Sequence, residues 1–309
     1  MYFTGSSLKL LPVVCASGAG RVMIAEALIM ARCLSGLSKH KDYAKDGKIL
    51  IIIHIKEGYD KPYFDNQGAI WIKSGANKRK VATKEELRRL FQSSDLLHAD
   101  EVPIRNSTIN DIDKQYFDDF IRRNNFIISG DIPFKNILNN MNLVSENQLN
   151  LAGLLLFGEN VPRFKPQFCI KAVYFSGNSM TVQKYRDSEE ISGKLQQQYS
   201  LAYGFIKRNL KKLQGTKSIN STGELEIPEI VFEELLVNAI IHRNYFIDAP
   251  IKIFIFENRI EIISPGTLPN KLTVENIKSG NSNIRNPIIC SFASKILPYR
   301  GIGTGIPRV

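Results

Sequence analysis

The spacing of hydrophobic and polar positions changes several times along the chain. Val22 to Leu34 is apolar and alanine-rich and predicts a helix, whereas Lys39 to Lys48 is polar and predicts a loop. Lys48 to Lys56 (KILIIIHIK) is a β-branched apolar run that predicts a central strand. After a turn at Gly58 to Pro62, Ala69-Ile-Trp-Ile-Lys73 predicts a second strand, and Ser74 to Lys80 reads as a basic loop. Thr83 followed by Glu86 predicts a capping box, with the helix running through Leu87, Leu90 and Phe91. Thr108 or Asn110 opens another helix, with Ile112, Tyr116, Phe117, Phe120 and Ile121 as its apolar stripe. Pro133 to Leu143 predicts a short helix.

From residue 151 the pattern differs. Leu151 to Phe157 is apolar, and Phe168 to Phe175 is strand-like. Glu189 to Leu213 predicts one long amphipathic helix, whose basic end (Lys207, Arg208, Lys211, Lys212) suits the helix dipole. A helix near 228–243, a strand pair within 251–263, a helix near 286–296 and a glycine-rich tail follow.

With 309 residues, two or three compact units are expected. The composition, 43% hydrophobic and 23% charged, is globular and excludes a disordered or fibrous chain. The net charge of +11 suits a polyanionic partner, or simply a lysine-rich surface. It is uneven: +4 over residues 1–75, zero over 76–150 and +7 over 151–309. Cys15, Cys33, Cys169 and Cys290 are far apart, and His40, His54, His98 and His242 do not cluster near them. A zinc site and a disulfide framework are therefore not expected. No segment has the roughly 18 consecutive apolar residues of a membrane span, and no signal cleavage pattern follows Leu8 to Val14. A cytoplasmic location without a membrane partner is the expectation.

Three stretches carry chemistry. In Ile227 to Arg243, Glu234, Asn238 and His242 are spaced four and four, so they share one face of an otherwise apolar helix. Asn238 offers a neutral oxygen to a hard Mg²⁺, and Glu234 can orient or deprotonate a water. The same pattern is also compatible with ordinary surface hydrogen bonds. In Ser264-Pro-Gly-Thr-Leu-Pro269, Gly266 permits close backbone approach to a ligand. In Pro298-Tyr-Arg-Gly-Ile-Gly-Thr-Gly-Ile306, Gly301, Gly303 and Gly305 alternate before an expected helix. Their N–H groups could cradle phosphate, or the stretch could be a flexible tail. Lys73, Lys78, Arg79 and Lys80 are candidates for nucleic-acid phosphate contacts, or a solvated turn.

In this order, EELLVNAIIHRNY (233–245), NRIEIISPGTLP (258–269), SGNSNIRNP (279–287) and PYRGIGTGI (298–306) resemble the GHKL (Bergerat) nucleotide fold of gyrase, histidine kinases and MutL. The resemblance is nearest to its divergent branch, the RecG-related, Schlafen-type ATP-binding transcriptional regulators. It covers roughly residues 150–309. It extends back through Ala69 to Gly75 and Glu85 to Phe91, similar to the end of that family's Alba-type nucleic-acid-binding domain. The implied fold class is α+β. An incomplete Alba-type domain would span 1–82, a helical linker unit 83–148, and a GHKL-type α/β sandwich, cut short at its C-terminus, 149–309.

The resemblance implies Glu234 as general base and Asn238 as Mg²⁺ ligand. His242, Ser264, Gly266 and Leu268 would line the ATP pocket, with Gly301, Gly303 and Gly305 as phosphate loop and Arg285 and Asn286 at a nucleotide lid. Ser264 stands where better-known members place the aspartate that reads the adenine amine. The chain ends four residues after Gly305, and its front lacks the acidic opening strand, so a copy truncated at both ends is expected. A RecG motor needs a P-loop, and no G-x-x-x-x-G-K-[ST] is present. The expected function is an ATP-binding, nucleic-acid-associated transcriptional regulator, binding DNA or RNA, with a slow Mg²⁺-dependent ATPase activity at most. The alternative is a nucleic-acid-binding adaptor with a dead nucleotide pocket. A Schlafen-like nuclease would need clustered N-terminal carboxylates. The oligomeric state is left open.

Overall fold

The computed structural model describes residues 37–45, 48–55, 62–74, 77–94, 96–128, 130–181, 184–213, 223–268, 272–301 and 305–308. The chain divides into two compact units, Met1–Leu97 and His98–Val309. The predicted helix over Val22 to Leu34, and Cys15 and Cys33, lie outside the described residues.

In the first unit, β1 (Leu37–Lys45) pairs antiparallel with β2 (Lys48–Ile55), closing at Lys45 opposite Lys48. The polar run expected as a loop is thus a strand. An apolar strand needs a neighbour for its backbone N–H and C=O groups, and polar residues can supply that neighbour. Among the described residues β2 has one partner, β1. The basic stretch expected as a loop becomes strand from Asn77. There β4 (Asn77–Lys80) pairs with β3 (Trp71–Ser74), setting Trp71 opposite Lys80 and Ile72 opposite Arg79. Helix α1 (Lys84–Ser93) is capped by Thr83, whose hydroxyl accepts from the Glu86 amide at 3.2 Å. Glu86 leaves the box half made. Its carboxylate accepts from the Ala82 amide and pairs with Arg79, which holds that carboxyl down at about 2.

In the second unit, Thr108 caps only a single short turn, Ile109–Asp111. The helix itself, α2 (Lys114–Arg123), starts later because Asp113 caps it through the Tyr116 amide. Then follow α3 (Phe134–Asn140), the small hairpin β5 (Val144–Ser145) and β6 (Gln148–Leu149), α4 (Leu151–Phe157) and α5 (Val161–Phe164). Strands β7 (Ile170–Phe175) and β8 (Tyr185–Ile191) precede α6 (Leu195–Asn209), the short pair β9 (Lys212–Leu213) and β10 (Glu224–Leu225), and α7 (Glu229–Ile241). The chain continues with β11 (Ile251–Ile255), β12 (Ile260–Ile263), α8 (Val274–Lys278) and α9 (Pro287–Ile296).

The long helix expected from Glu189 is two elements. Residues 185–191 extend as an edge strand on β7, Gly193 at φ +110° turns the chain, and the helix begins at Leu195. Only Lys207 and Arg208 remain in its last turn, and both are ion-paired, with Glu229 and with Asp187 and Glu189. Lys211 lies beyond it and pairs with Glu257.

The four-stranded sheet has the order β12-β11-β7-β8, with β11 and β7 parallel and the other pairs antiparallel. Alternation along β7 and β11 buries Ile170, Ala172, Tyr174, Ile251, Ile253 and Ile255. They share one core with Ala202, Phe205 and Ile206 of α6 and Phe232, Leu236 and Ile240 of α7. The helices between residues 98 and 149 belong to this same core. Phe117 and Phe120 of α2 pack edge-on against Phe157 of α4 with ring centroids 5.0 Å apart, and Phe292 of α9 closes the knot at 5.7 Å from Phe157 and Phe120. The architecture is α+β around a mixed sheet. Among the described residues no helix is long and apolar enough to cross a membrane.

Candidate functional site, a cleft between α7 and the C-terminal loops

Helix α7 is apolar nearly all round, which suits a helix covered on several sides. Phe232, Leu236, Val237, Ile240 and Ile241 are buried, and the polar line Glu234, Asn238, His242 faces a cavity of about 810 Å³. The Asn238 amide donates to Glu234 Oε1 at 2.8 Å. That bond commits the amide nitrogen and leaves the oxygen, a hard donor, for another partner. His242 ends the helix, its N–H donating to the Asn238 carbonyl at 3.0 Å. Burial, and then the Arg285 charge, push its imidazole below the usual value, so it is neutral at pH 7.

The opposite wall follows β12. Ser264 turns inward and donates to the Ala239 carbonyl at 2.7 Å. Gly266 has φ +120°, and a Cβ there would fall 2.7 Å from Asn244 Cβ and 2.8 Å from Arg285 Nη1, so glycine is required. Arg285 spans the cleft floor, donating to the His242 carbonyl at 3.3 Å and the Thr267 carbonyl at 2.6 Å. His98 Nδ1 lies 3.3 Å from the Arg285 carbonyl oxygen. Asn286 does not line the cavity, in contrast to its expected place at a lid. It is fully buried and donates to the carbonyls of Ile241 (2.7 Å) and Arg243 (2.9 Å). It satisfies acceptors that the end of α7 leaves open. Asp100, also fully buried, caps the first turn of α9 by accepting from the Ile289 amide at 3.0 Å. Burial pushes its carboxyl up to about 6.

The chain leaves α9 through Pro298 and Tyr299 to Gly301 (φ +67°) and Gly305. Gly305 sits directly on the Glu234 carboxylate: an added Cβ would meet Oε1 at 1.6 Å. Gly303 lies outside the described residues. Cys290 contacts Tyr299, and burial pushes its thiol up to about 12, so it is no thiolate nucleophile.

Glu234, Asn238, His242, Ser264, Gly266, Leu268, Arg285, Gly301 and Gly305 all line this one cavity. Sequence reasoning missed Glu233, Thr267, Tyr299, Arg300 and the polar loop Asn281-Ser-Asn283, which line it too. Their signal was weak, since surface loops are commonly rich in such residues. The net positive charge of residues 151–309 does not concentrate here. Arg285 and Arg300 are offset by Glu233 and Glu234 in the lining, while Lys207, Arg208 and Lys211 pair with acids elsewhere.

The volume falls in the range of small-molecule sites. Asn238 oxygen, beside a carboxylate and glycines that let backbone approach closely, fits a hard cation shared with a phosphate chain. Among the described residues no group of three or more His, Cys, Asp or Glu could hold a metal by itself.

The basic hairpin belongs to the first unit. The ammonium groups of Lys78 and Lys80 lie 5.1 and 5.4 Å from the Trp71 ring centroid, whose indole N–H donates to Asp65 at 2.6 Å. Arg79 is engaged by Glu86, which leaves the two lysines as the exposed cations beside the ring. The side chain of Lys73 lies outside the described residues.

No curated protein matches the chain in sequence. In structure it is similar to the DIP2311 protein from Corynebacterium diphtheriae, at a TM-score of 0.52 and 19% identity, over 87% of this chain. The chain spans about half, 53%, of that structure's length, and the likeness is one of fold. Residues 248–309, which include β11, β12 and the loop wall of the cleft, match an ATPase-type family model described as "Putative ATP-dependent DNA helicase recG C-terminal". The C-terminal part of the second unit is thus similar to a RecG-related, ATPase-type model.

Proposed function

We propose that the cleft binds ATP with Mg²⁺ and that the chain is a nucleic-acid-associated, nucleotide-responsive transcriptional regulator of the cytoplasm, with slow ATP hydrolysis at most. The observation that carries this reading is the seating of Gly305 on the Glu234 carboxylate, one helical turn from Asn238. Two motifs seventy residues apart in sequence meet there at one cavity.

In this reading Asn238 supplies the protein oxygen to Mg²⁺, and the metal would neutralise phosphate charge. Glu234 holds a water and takes its proton. Gly301, Gly303 and Gly305 present backbone N–H groups to phosphate, and Gly266 and Leu268 flank the base. Arg285 keeps the 264–268 turn against the end of α7. The Trp71, Lys78 and Lys80 surface would meet nucleic acid, by stacking and by phosphate contact.

The test is calorimetric titration of Mg·ATP into wild type and Asn238→Ala. We expect saturable heat for wild type and an affinity at least about tenfold lower for the variant, the loss of one metal ligand. Equal isotherms for the two proteins, or none for wild type, would sink the nucleotide reading. The commitment of the Ser264 hydroxyl to Ala239 favours the second reading, an adaptor with a dead pocket. That reading predicts salt-sensitive DNA or RNA binding that ATP leaves unchanged.

A further inference from the structure

The two arginines that line the cleft are differently employed. Arg285 is engaged: its guanidinium donates to the His242 and Thr267 carbonyls and ties the 264–268 turn to the end of α7. Arg300 is exposed. Among the described residues neither an ion pair nor a hydrogen bond engages its side chain. The two also stand at different ends. Arg285 belongs with Gly266, where an added Cβ would fall 2.8 Å from Nη1. Arg300 follows Tyr299, whose place is fixed. The Tyr299 amide donates to the Leu297 carbonyl at 2.7 Å, and the side chain packs on the small cluster of Val237, Ile241, Cys290, Ala293 and Leu297. Burial first, then Cys290 and the Glu234 charge, push its phenol up to about 12, so this ring lies in the field of Glu234. Gly301 rests against the same ring, since a Cβ there would stand 3.4 Å from Cε1. The backbone on either side of Arg300 is thus held at the Glu234 end of the cleft.

In the nucleotide reading that end has a defined task. A water held by Glu234 must stand in line with the bond it breaks, so the last phosphate of the chain lies beside that carboxylate. Glu233 and Glu234 both line the cavity there, and each repels a phosphate. A cation on the Asn238 oxygen offsets part of that repulsion. A guanidinium offsets more, and its planar fork matches two phosphate oxygens at once. Arg285 cannot serve without releasing the turn it holds, whereas Arg300 has nothing to give up.

We infer, on the nucleotide reading above, that Arg300 grips the terminal phosphate and makes the cleft selective for a nucleoside triphosphate over the diphosphate. A diphosphate ends one phosphate short of this residue and gains nothing from it. Loss of the last phosphate frees the arginine, so the state of this one side chain reports which nucleotide the cleft holds.

Calorimetric titrations of Mg·ATP and of Mg·ADP into the full chain and into Arg300→Ala test it. Arg300 is exposed, so its truncation leaves the core intact, and a thermal melt establishes that the variant folds. We expect wild type to bind ATP at least about tenfold more tightly than ADP, the worth of one charge-assisted contact. The variant is expected to lose that preference by weakening ATP and not ADP. A wild type that binds the two within about tenfold overturns the inference. So does a variant that keeps the preference, or one that weakens both nucleotides alike. The nucleotide reading survives each of those results, whereas binding of neither nucleotide by wild type overturns it too. Arg285→Ala supplies the contrast: it should weaken ATP and ADP together, because the turn it holds serves both. If Arg285→Ala abolishes the preference while Arg300→Ala retains it, the terminal phosphate lies at the other end of the cleft and the assignment is wrong.

Discussion

The two walls of the cleft are built on opposite principles. Helix α7 is one continuous element whose apolar side chains are locked in the core, so Glu234 and Asn238 inherit a fixed spacing. The facing wall is made of turns and short helices between residues 264 and 301. Its apolar residues Leu268, Val274 and Ile284 are exposed, and its path is held by a few polar clasps, from Arg285 at the cleft and from the buried Asn286 and Asp100. Groups that must hold a cation and a water benefit from the first construction, because small misplacements are costly in such chemistry. Groups that must admit a base can tolerate the second, since hydroxyls and amides adjust their hydrogen bonds.

The largest expected effect separates the walls by stability. Leu236→Ala should cost about 2–5 kcal/mol, because it opens a void in a closed core, whereas Leu268→Ala on the exposed wall should fall within about 0.5 kcal/mol. Urea unfolding monitored by circular dichroism gives both numbers. Similar losses at the two positions would erase the distinction.

Next comes the clasp that starts α9. With its carboxyl raised to about 6, Asp100 keeps its proton in the folded state at pH values where the unfolded chain would release it. Stability is therefore fully present below the unfolded value of about 4 and lost as pH rises through about 6. The drop is on the order of 1–3 kcal/mol. His98, Glu101, Tyr245 and Cys290 surround this carboxyl. Asp100→Asn retains an acceptor for the Ile289 amide without the ionisation, so its stability should be flatter over that window. Parallel pH profiles for wild type and variant would show that Asp100 is not the titrating clasp.

A small effect on stability, and the most local on binding, is expected at the meeting point of the walls. Gly305→Ala must push the Glu234 carboxylate aside, which a flexible side chain can do at a cost of about 1 kcal/mol or less. Mg·ATP affinity should nevertheless fall by about tenfold, as the water and metal positions shift. Unchanged affinity would mean that the contact is incidental to the site.

Legibility in the sequence followed the range of the interactions. The face of α7 was readable because helical periodicity places i, i+4 and i+8 together whatever surrounds them. The β11–β12 hairpin was readable from two apolar runs joined by a short polar turn. The boundary at residues 189–195 was not, because the polar alternation of an edge strand and the polar face of a helix look alike until the partner β7 is known. The place of Asn286 was hidden for the same kind of reason: a polar residue before a proline reads as a lid or as a cap, and only the carbonyls of Ile241 and Arg243 decide between them.

The sequence by itself determined the helix that bears Glu234 and Asn238, the glycines at positive φ at 266 and 301, and the lack of acids after Ser264 apart from Glu275. These follow from local backbone sterics and from composition, which need no partner. The tertiary structure decided that Gly305 rests on Glu234, that Arg285 and Asn286 are turned to backbone carbonyls, and that the chain from residue 98 shares its core with the sheet. Those depend on contacts between residues far apart in the chain, which form only when burial of the phenylalanine knot and of α7 brings the segments together.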